Sequence, residues 1–358
     1  MKDALNTLVE EAKSLLDSGR LGEALEASEI ALKVDPRSSL AWKWKGIALL
    51  GLGRYQEALE SLEHAIHLDP SDAESWNSQG DILQNLVRYE EAEKSYDQAM
   101  AIDPEYALFW IEKGLEKCPL DSEVWSYKGF TLYYLGRYDE AVEAYDRVTE
   151  INPDNKMAWR NKGDALYLLC DYFNALKCFE RLIDLDPSDV CAWKCIGDVF
   201  YHLKRPEKAI SSYQKAIGLD PENVSSWVAM GHTLRDTDRT MEALECFERA
   251  IEINREVPSA WYGKGLVLRN LLKYREAAHC FLKSLDIDPH NVQAWKNRGW
   301  ALYILGRYDE AVSCFQKAIN LDMLDAEAWY NMGLVLRSSE RHDESEEALL
   351  RALYLRSL

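Results

Sequence analysis

Tryptophan recurs in this sequence at a fixed interval. Trp42, Trp76 and Trp110 stand 34 residues apart, and so do Trp125, Trp159, Trp193, Trp227, Trp261, Trp295 and Trp329. A glycine follows four residues after each: Gly46, Gly80, Gly114, Gly129, Gly163, Gly197, Gly231, Gly265, Gly299 and Gly333. A chain with this period is not divided into globular domains by its length of 358 residues. It reads as a stack of units, each packing on its neighbours.

With the tryptophan counted as position 4 and the glycine as position 8, position 20 is Ala58, Ala92, Ala141, Ala175, Ala209, Ala243, Ala277 and Ala311. Small residues at positions 8 and 20 let two helices approach closely, and the tryptophan fills space between neighbours. Helix A occupies positions 1 to 14. Gly19, Gly53, Gly136 and Gly306 supply the following turn, where an unusual backbone angle costs glycine least. Helix B then ends at Asp35-Pro36, Asp69-Pro70, Asp103-Pro104, Asn152-Pro153, Asp186-Pro187, Asp220-Pro221 and Asp288-Pro289, because proline disfavours helix in the residue before it. A weaker first repeat starts near Leu5, with Leu8, Ala12, Ala24, Ala31 and Pro36 in register, and is expected to cap the array.

These motifs resemble the tetratricopeptide repeat family over essentially the whole chain. The resemblance implies an all-α fold, a right-handed superhelical solenoid of antiparallel helix hairpins with about ten full repeats plus one truncated unit. It also implies a protein–protein interaction role rather than catalysis.

The rhythm breaks once. Trp110 to Trp125 is 15 residues instead of 34, a loss of 19. Residues 1–104 are expected to form three hairpins, 105–121 a truncated single-helix unit built on Tyr106 to Lys117, and 122–358 seven hairpins. An odd helix disturbs up-down stacking, so a kink or hinge is expected there; local repacking that absorbs the deletion is the alternative. In the last helix Leu349, Leu350, Leu353, Tyr354 and Leu355 either all turn inward or dock onto another chain.

The balance of 42 Lys plus Arg against 61 Asp plus Glu gives a net charge of −19, which repels phosphate backbones and anionic lipid. Neither nucleic acid nor membrane is expected as a partner. Met1-Lys2-Asp3-Ala4-Leu5-Asn6 runs into Glu10-Glu11 without an apolar stretch, and no run is long enough for a membrane span, so a cytoplasmic address is expected. Cys118, Cys170, Cys178, Cys191, Cys195, Cys246, Cys280 and Cys314 are scattered and read as reduced thiols, mostly packing. No phosphate-loop, zinc-protease or nucleophile-elbow pattern occurs, so no catalytic residue, cofactor or metal is expected. Cys191 and Cys195 have the spacing of two ligands on one helix face, but His202 lies too far along to join them.

At about 100° per residue, positions 2, 5, 6, 9, 12 and 13 share the face of helix A opposite positions 4, 8 and 11. In the family this face lines the concave groove. Here it carries Trp44, then Tyr127, Phe130 and Tyr134, then Arg160, Asn161 and Tyr167. Lys194 and Tyr201, Arg235, Tyr262 and Arg269 follow, then Lys296, Asn297 and Trp300, and last Tyr330, Asn331 and Arg337. From Arg160 onward six cations (Arg160, Lys194, Arg235, Arg269, Lys296, Arg337) face four acids (Asp164, Asp198, Asp236, Glu327). Tyrosine, tryptophan and arginine are the residues that most often anchor interfaces. The face therefore reads as a groove for a peptide or protein bearing carboxylates; the alternative is that the tyrosines pack along the wall and the cations pair internally. Asn161, Asn297 and Asn331 at position 6 resemble the asparagine ladder of some repeat proteins, interrupted here by Cys195, Ala229 and Gly263. The functional expectation is a non-enzymatic scaffold or adaptor. The alternative is a regulatory or self-assembling subunit that associates through repeat ends, which allows a homo-oligomer.

Overall fold

The computed structural model describes residues 2–357, and their side chains except at positions 2, 3, 89, 93 and 117. Met1, part of the opening read above, lies outside them. Every element among the described residues is an α-helix, and the chain divides into two compact units, Met1–Leu169 and Cys170–Leu358. The first unit holds α1 (Lys2–Asp17), α2 (Leu21–Val34), α3 (Ser39–Gly51), α4 (Tyr55–Leu68), α5 (Ala73–Asn85), α6 (Tyr89–Ile102), α7 (Pro104–Lys117), α8 (Ser122–Tyr134), α9 (Tyr138–Ile151) and α10 (Lys156–Leu168). The second holds α11 (Tyr172–Leu185), α12 (Val190–His202), α13 (Pro206–Leu219), α14 (Val224–Asp236), α15 (Thr240–Ile253), α16 (Pro258–Asn270), α17 (Tyr274–Ile287), α18 (Val292–Ile304), α19 (Tyr308–Leu321), α20 (Ala326–Ser338) and α21 (His342–Ser357). The division falls between Leu169 and Cys170.

Local sequence starts and stops each helix. Eight first helices are capped by Ser38, Asp72, Asp121, Asn155, Asp189, Asn223, Asn291 or Asp325, whose side chain accepts a backbone N–H that would otherwise lack a partner, while α16 starts on Pro258 instead. The repeat tryptophan fastens the preceding turn to its helix. The indole N–H donates to a carbonyl six residues back, Trp42 to Pro36 at 2.9 Å, Trp193 to Pro187 at 3.0 Å and Trp295 to Pro289 at 2.9 Å. Between the helices the chain turns through positive φ at position 15. Glycine fills this position at 19, 53, 136 and 306, whereas Val87, Cys170, Lys204, Asp238, Leu272 and Glu340 adopt the same geometry without it.

In most hairpins the core is a ring seated on a glycine, with Leu62 and Leu349 in that place opposite Gly46 and Gly333. Phe281 of α17, fully buried, lies so close to Gly265 of α16 that a Cβ there would stand 2.6 Å from its Cε1; Tyr145 stands 2.8 Å from the same point on Gly129. A side chain at position 8 would push this ring out of the core.

The lone helix α7 overturns one reading of the tryptophan series. It is 14 residues long, as the second helices α6 and α9 are, whereas the first helices α5 and α8 have 13. Counted back from Pro119 as position 32, Ala107, Ile111 and Gly114 take positions 20, 24 and 27. The counterparts are Ala92, Tyr96 and Ala99 in α6 and Ala141, Tyr145 and Val148 in α9. The end matches too: the Cys118 N–H bonds to the Gly114 carbonyl, as Asp103 does to Ala99 and Asn152 to Val148. Trp125 donates to the Pro119 carbonyl at 2.9 Å. So α7 is a second helix without its first, and Trp110 and Gly114 match the repeat spacing by coincidence. Pro104, six residues before Trp110, lies inside the helix, so there is no turn carbonyl for the indole; Trp110 is 43% exposed and edge-on to Tyr106 and Phe109.

The missing 19 residues correspond to a turn, a whole first helix and its loop. Asp103 closes the join. Its N–H bonds back to Ala99 to end α6, and its side chain accepts from the Tyr106 N–H at 3.0 Å to start α7.

At the other end of the chain the apolar residues of α21 do not all turn inward. Leu349 and Leu355 are half-buried, but Leu350, Tyr354 and Leu353, the last at 61%, are exposed.

Candidate partner-binding surface

In the second unit the face predicted to line a groove is carried by α12, α14, α16, α18 and α20. Its tyrosines act as rungs between successive first helices. Tyr201 donates to Asp236 at 2.7 Å, Asn297 donates to the Tyr262 hydroxyl at 3.1 Å, and the Tyr303 and Ser338 hydroxyls lie 3.2 Å apart. Each rung joins one position to the next-numbered position of the following repeat, 35 residues on. These tyrosines therefore pack along the wall with their polar ends occupied.

Several of the expected cations are paired within the face. Lys194 lies 2.6 Å from Asp198, and Arg235 2.7 Å from Asp236 and 3.3 Å from the His232 Nδ1. Burial, reinforced by Arg235, pushes the His232 imidazole down to about 4, so it is neutral at physiological pH.

Two members of the predicted groove do not belong to it. Lys296 is 7% exposed and reaches the turn of the next repeat, 2.9 Å from Asp325 and in contact with Glu327. Lys43 does the same in the first unit, 3.2 Å from Asp72 and 2.9 Å from Glu74. At position 5 Lys43 and Lys296 thus point along the stack, where the acidic N-cap and first turn of the next helix neutralise them, whereas Lys194 at the same position pairs with Asp198 of its own helix. Trp44 is likewise 7% exposed, with the Lys43 ammonium 4.4 Å from its ring.

Arg269 has no carboxylate partner among the described residues. Its guanidinium donates to the Asn297 Oδ1, and Asn297 is held in turn by the Gln293 carbonyl at 2.8 Å and by Tyr262. Asn297 is therefore committed to the wall and is not a free rung of an asparagine ladder. Tyr262 feels the positive charges of Arg269, Arg235 and Lys296, although burial, the larger effect, raises its phenol overall. Further along, Trp300 is half-buried 5.4 Å from Tyr303, Tyr330 lies under Arg356 at 4.9 Å, and Asn331 is half-buried. Arg337 is exposed and makes no ion pair among the described residues.

In the first unit Tyr127, Phe130 and Tyr134 of α8 are all exposed, Tyr134 at 63%, while Arg160, Asn161 and Tyr167 of α10 are half-buried. The sequence reading missed the cavity beside α7, because it assigned Trp110 and Gly114 to the wrong helix of the hairpin. The signal that finds it is Ala107-x-x-x-Ile111-x-x-Gly114.

No group of three or more His, Cys, Asp or Glu side chains is placed to hold a metal among the described residues. His202 stacks on Tyr172 at 4.9 Å. Cys178, Cys246, Cys280 and Cys314 are buried, and burial pushes the Cys246 thiol up to about 12 and those of Cys280 and Cys314 to about 11. No helix among the described residues is long and apolar enough to cross a membrane.

The sequence matches tetratricopeptide repeats over residues 9–72, 45–107 and 129–190, over 190–223, 258–291 and 292–322, over 224–257, and over 314–349. No curated protein matches the chain. Among solved structures it is similar to YrrB, described as a tetratricopeptide protein with an unusual peptide-binding site, at 23% identity over 50% of this chain and 92% of that one, with a TM-score of 0.45. It is similar to MamA of Desulfovibrio magneticus RS-1 at 27% identity over 49% of this chain and 95% of that one, TM-score 0.43. Similarity to yeast Tom70 is 14% identity over 96% of this chain and 97% of that one, TM-score 0.49.

Proposed function

The chain belongs to the tetratricopeptide repeat family, and on that footing we propose that it is a non-enzymatic scaffold holding a peptide or protein partner on the first-helix face. In the second unit the partner presents an acidic stretch to Arg269. The observation that carries this reading is the state of that arginine. In a chain of net charge −19 its guanidinium is held in place by an amide instead of a carboxylate, beside a phenol, while the neighbouring Arg235 and Lys296 are already paired with acids. A planar fork with remaining donors and no internal counter-ion is fitted to a carboxylate brought from outside.

The test is calorimetric titration of the full chain with an aspartate- and glutamate-rich dodecapeptide and with its asparagine–glutamine counterpart. The acidic peptide is expected to bind more tightly, and Arg269→Gln to weaken it roughly tenfold, about 1.4 kcal/mol, while leaving the amide peptide unchanged. Equal binding of the two peptides, or an acidic peptide indifferent to Arg269→Gln, overturns the reading.

A second reading, self-assembly through repeat ends, is favoured by the exposure of Leu350, Leu353 and Tyr354 on α21. It supplies a partner of a different kind and leaves the Arg269 test unaffected.

A further inference from the structure

The first unit contains a cavity of about 310 Å³ between α5, α6, α7 and α8. It lies where the register of α7 leaves a helix out. In most complete hairpins the residues at positions 20 and 24 of the second helix are covered by the first helix: Ala175 and Phe179, Ala243 and Phe247, and Ala311 and Phe315 are all fully or almost fully buried, whereas Tyr96, beside this cavity, and Leu349 of the last helix are half-buried. Their counterparts in α7, Ala107 and Ile111, are only half-buried and line the cavity, with Trp110 and Gly114 beside them. A Cβ built on Gly114 would meet only Val124, at 3.6 Å. The neighbours have partly closed in, with Thr131 of α8 reaching Met100 of α6 at 3.3 Å, but they have not filled the space.

The opposite wall is acidic. Asp81 of α5 and Asp97 of α6 line the cavity, and its lining includes no lysine, arginine or histidine. Asp81 accepts a hydrogen bond from the Tyr96 hydroxyl at 2.8 Å, and burial holds its carboxyl above the usual carboxylate range. Asp81 is half-buried with this one neutral donor and Asp97 is exposed, so a cation set between them finds two carboxylates without a cationic partner in the lining, one of them partly withdrawn from water. Exposed Tyr127 stands at the edge of the same space.

We propose that this cavity takes a bulky aliphatic side chain from a partner protein's segment, with an adjacent lysine or arginine set against Asp81 and Asp97, in the place vacated by the missing first helix. The aliphatic group covers Ala107 and Ile111 as a first helix does elsewhere, and the cation supplies the charge the lining lacks. The site lies wholly in the first unit and stands apart from the reading of Arg269, since it selects the opposite charge.

The test uses the full chain labelled with fluorotryptophan, following the Trp110 fluorine resonance, assigned by Trp110→Phe, during titration with acetyl-Leu-Lys-Leu-amide and acetyl-Leu-Gln-Leu-amide. Both peptides shift the resonance saturably, the lysine peptide with about fivefold or greater preference. Asp81→Asn brings the lysine peptide to the level of the glutamine peptide. Filling the space with Ala107→Leu, or independently with Gly114→Leu, removes the response to both, with helical circular dichroism verifying that each variant folds. The proposal is overturned if the two peptides bind alike, if the response survives in a folded filled variant, or if neither peptide shifts Trp110 at about 5 mM, a bound weaker than the millimolar affinity of a minimal contact.

Discussion

Gly114 and Gly265 share a sequence context, each four residues after a tryptophan, but not a spatial one. A side chain on Gly265 would drive into Phe281, whereas one on Gly114 would make ordinary contact with Val124. Gly265→Ala is therefore expected to destabilise the chain by about 1 to 3 kcal/mol through overpacking. Gly114→Ala is expected to stabilise it by about 0.5 to 1 kcal/mol, because glycine inside a helix costs that much against alanine and position 27 is alanine in α4, α6 and α13. Urea unfolding of both variants checks the pair; a loss of stability in Gly114→Ala as large as that in Gly265→Ala would restore Gly114 to position 8. At this scale the sequence reveals which residue types recur, but not which side chain a glycine makes room for, since that neighbour lies on another helix.

The hairpins were legible because their signals are local: turn glycines and Asp-Pro stops act within a few residues. The lone helix was legible as one helix over nearly its full extent. Its identity was not, because Trp110 and Gly114 imitate the first-helix motif while Ala107, Ile111 and Gly114 carry the second-helix pattern; only packing decides between them. The register makes a prediction about the element. Residues 70–88 are the turn, first helix and loop of the preceding repeat, 19 residues in all, and a second copy inserted between Asp103 and Pro104 restores what is absent. The enlarged chain is expected to melt at a higher temperature and to lose the Trp110 response to acetyl-Leu-Lys-Leu-amide, because the inserted helix occupies the cavity. A lower melting temperature in the insertion variant would contradict the assignment of α7.

For the molecule as a whole, composition set limits that no single residue sets. The charge of −19 disfavours polyanions, yet the two candidate contacts differ in sign, with Arg269 open to a carboxylate and Asp81 open to a cation. Of the proposed surface, helical periodicity indicates which residues share a face of the first helices, and Tyr127, Phe130 and Tyr134 are exposed there. What the periodicity could not show is that Lys296, unlike Lys194 at the same position, leans toward the next repeat, or that tyrosines bond one repeat further on. Self-association is tested at this scale by sedimentation velocity over a range of concentrations: if α21 mediates it, Leu353→Glu abolishes the concentration dependence, and a wild-type chain that sediments as a monomer throughout rules it out. Asp103 has a wider consequence. With one residue giving its backbone N–H as the last stitch of one coil and its carboxylate as the first of the next, an excision of more than half a repeat is closed without a loop, so a loss that would ruin a globular domain here opens a vacancy for something foreign to occupy.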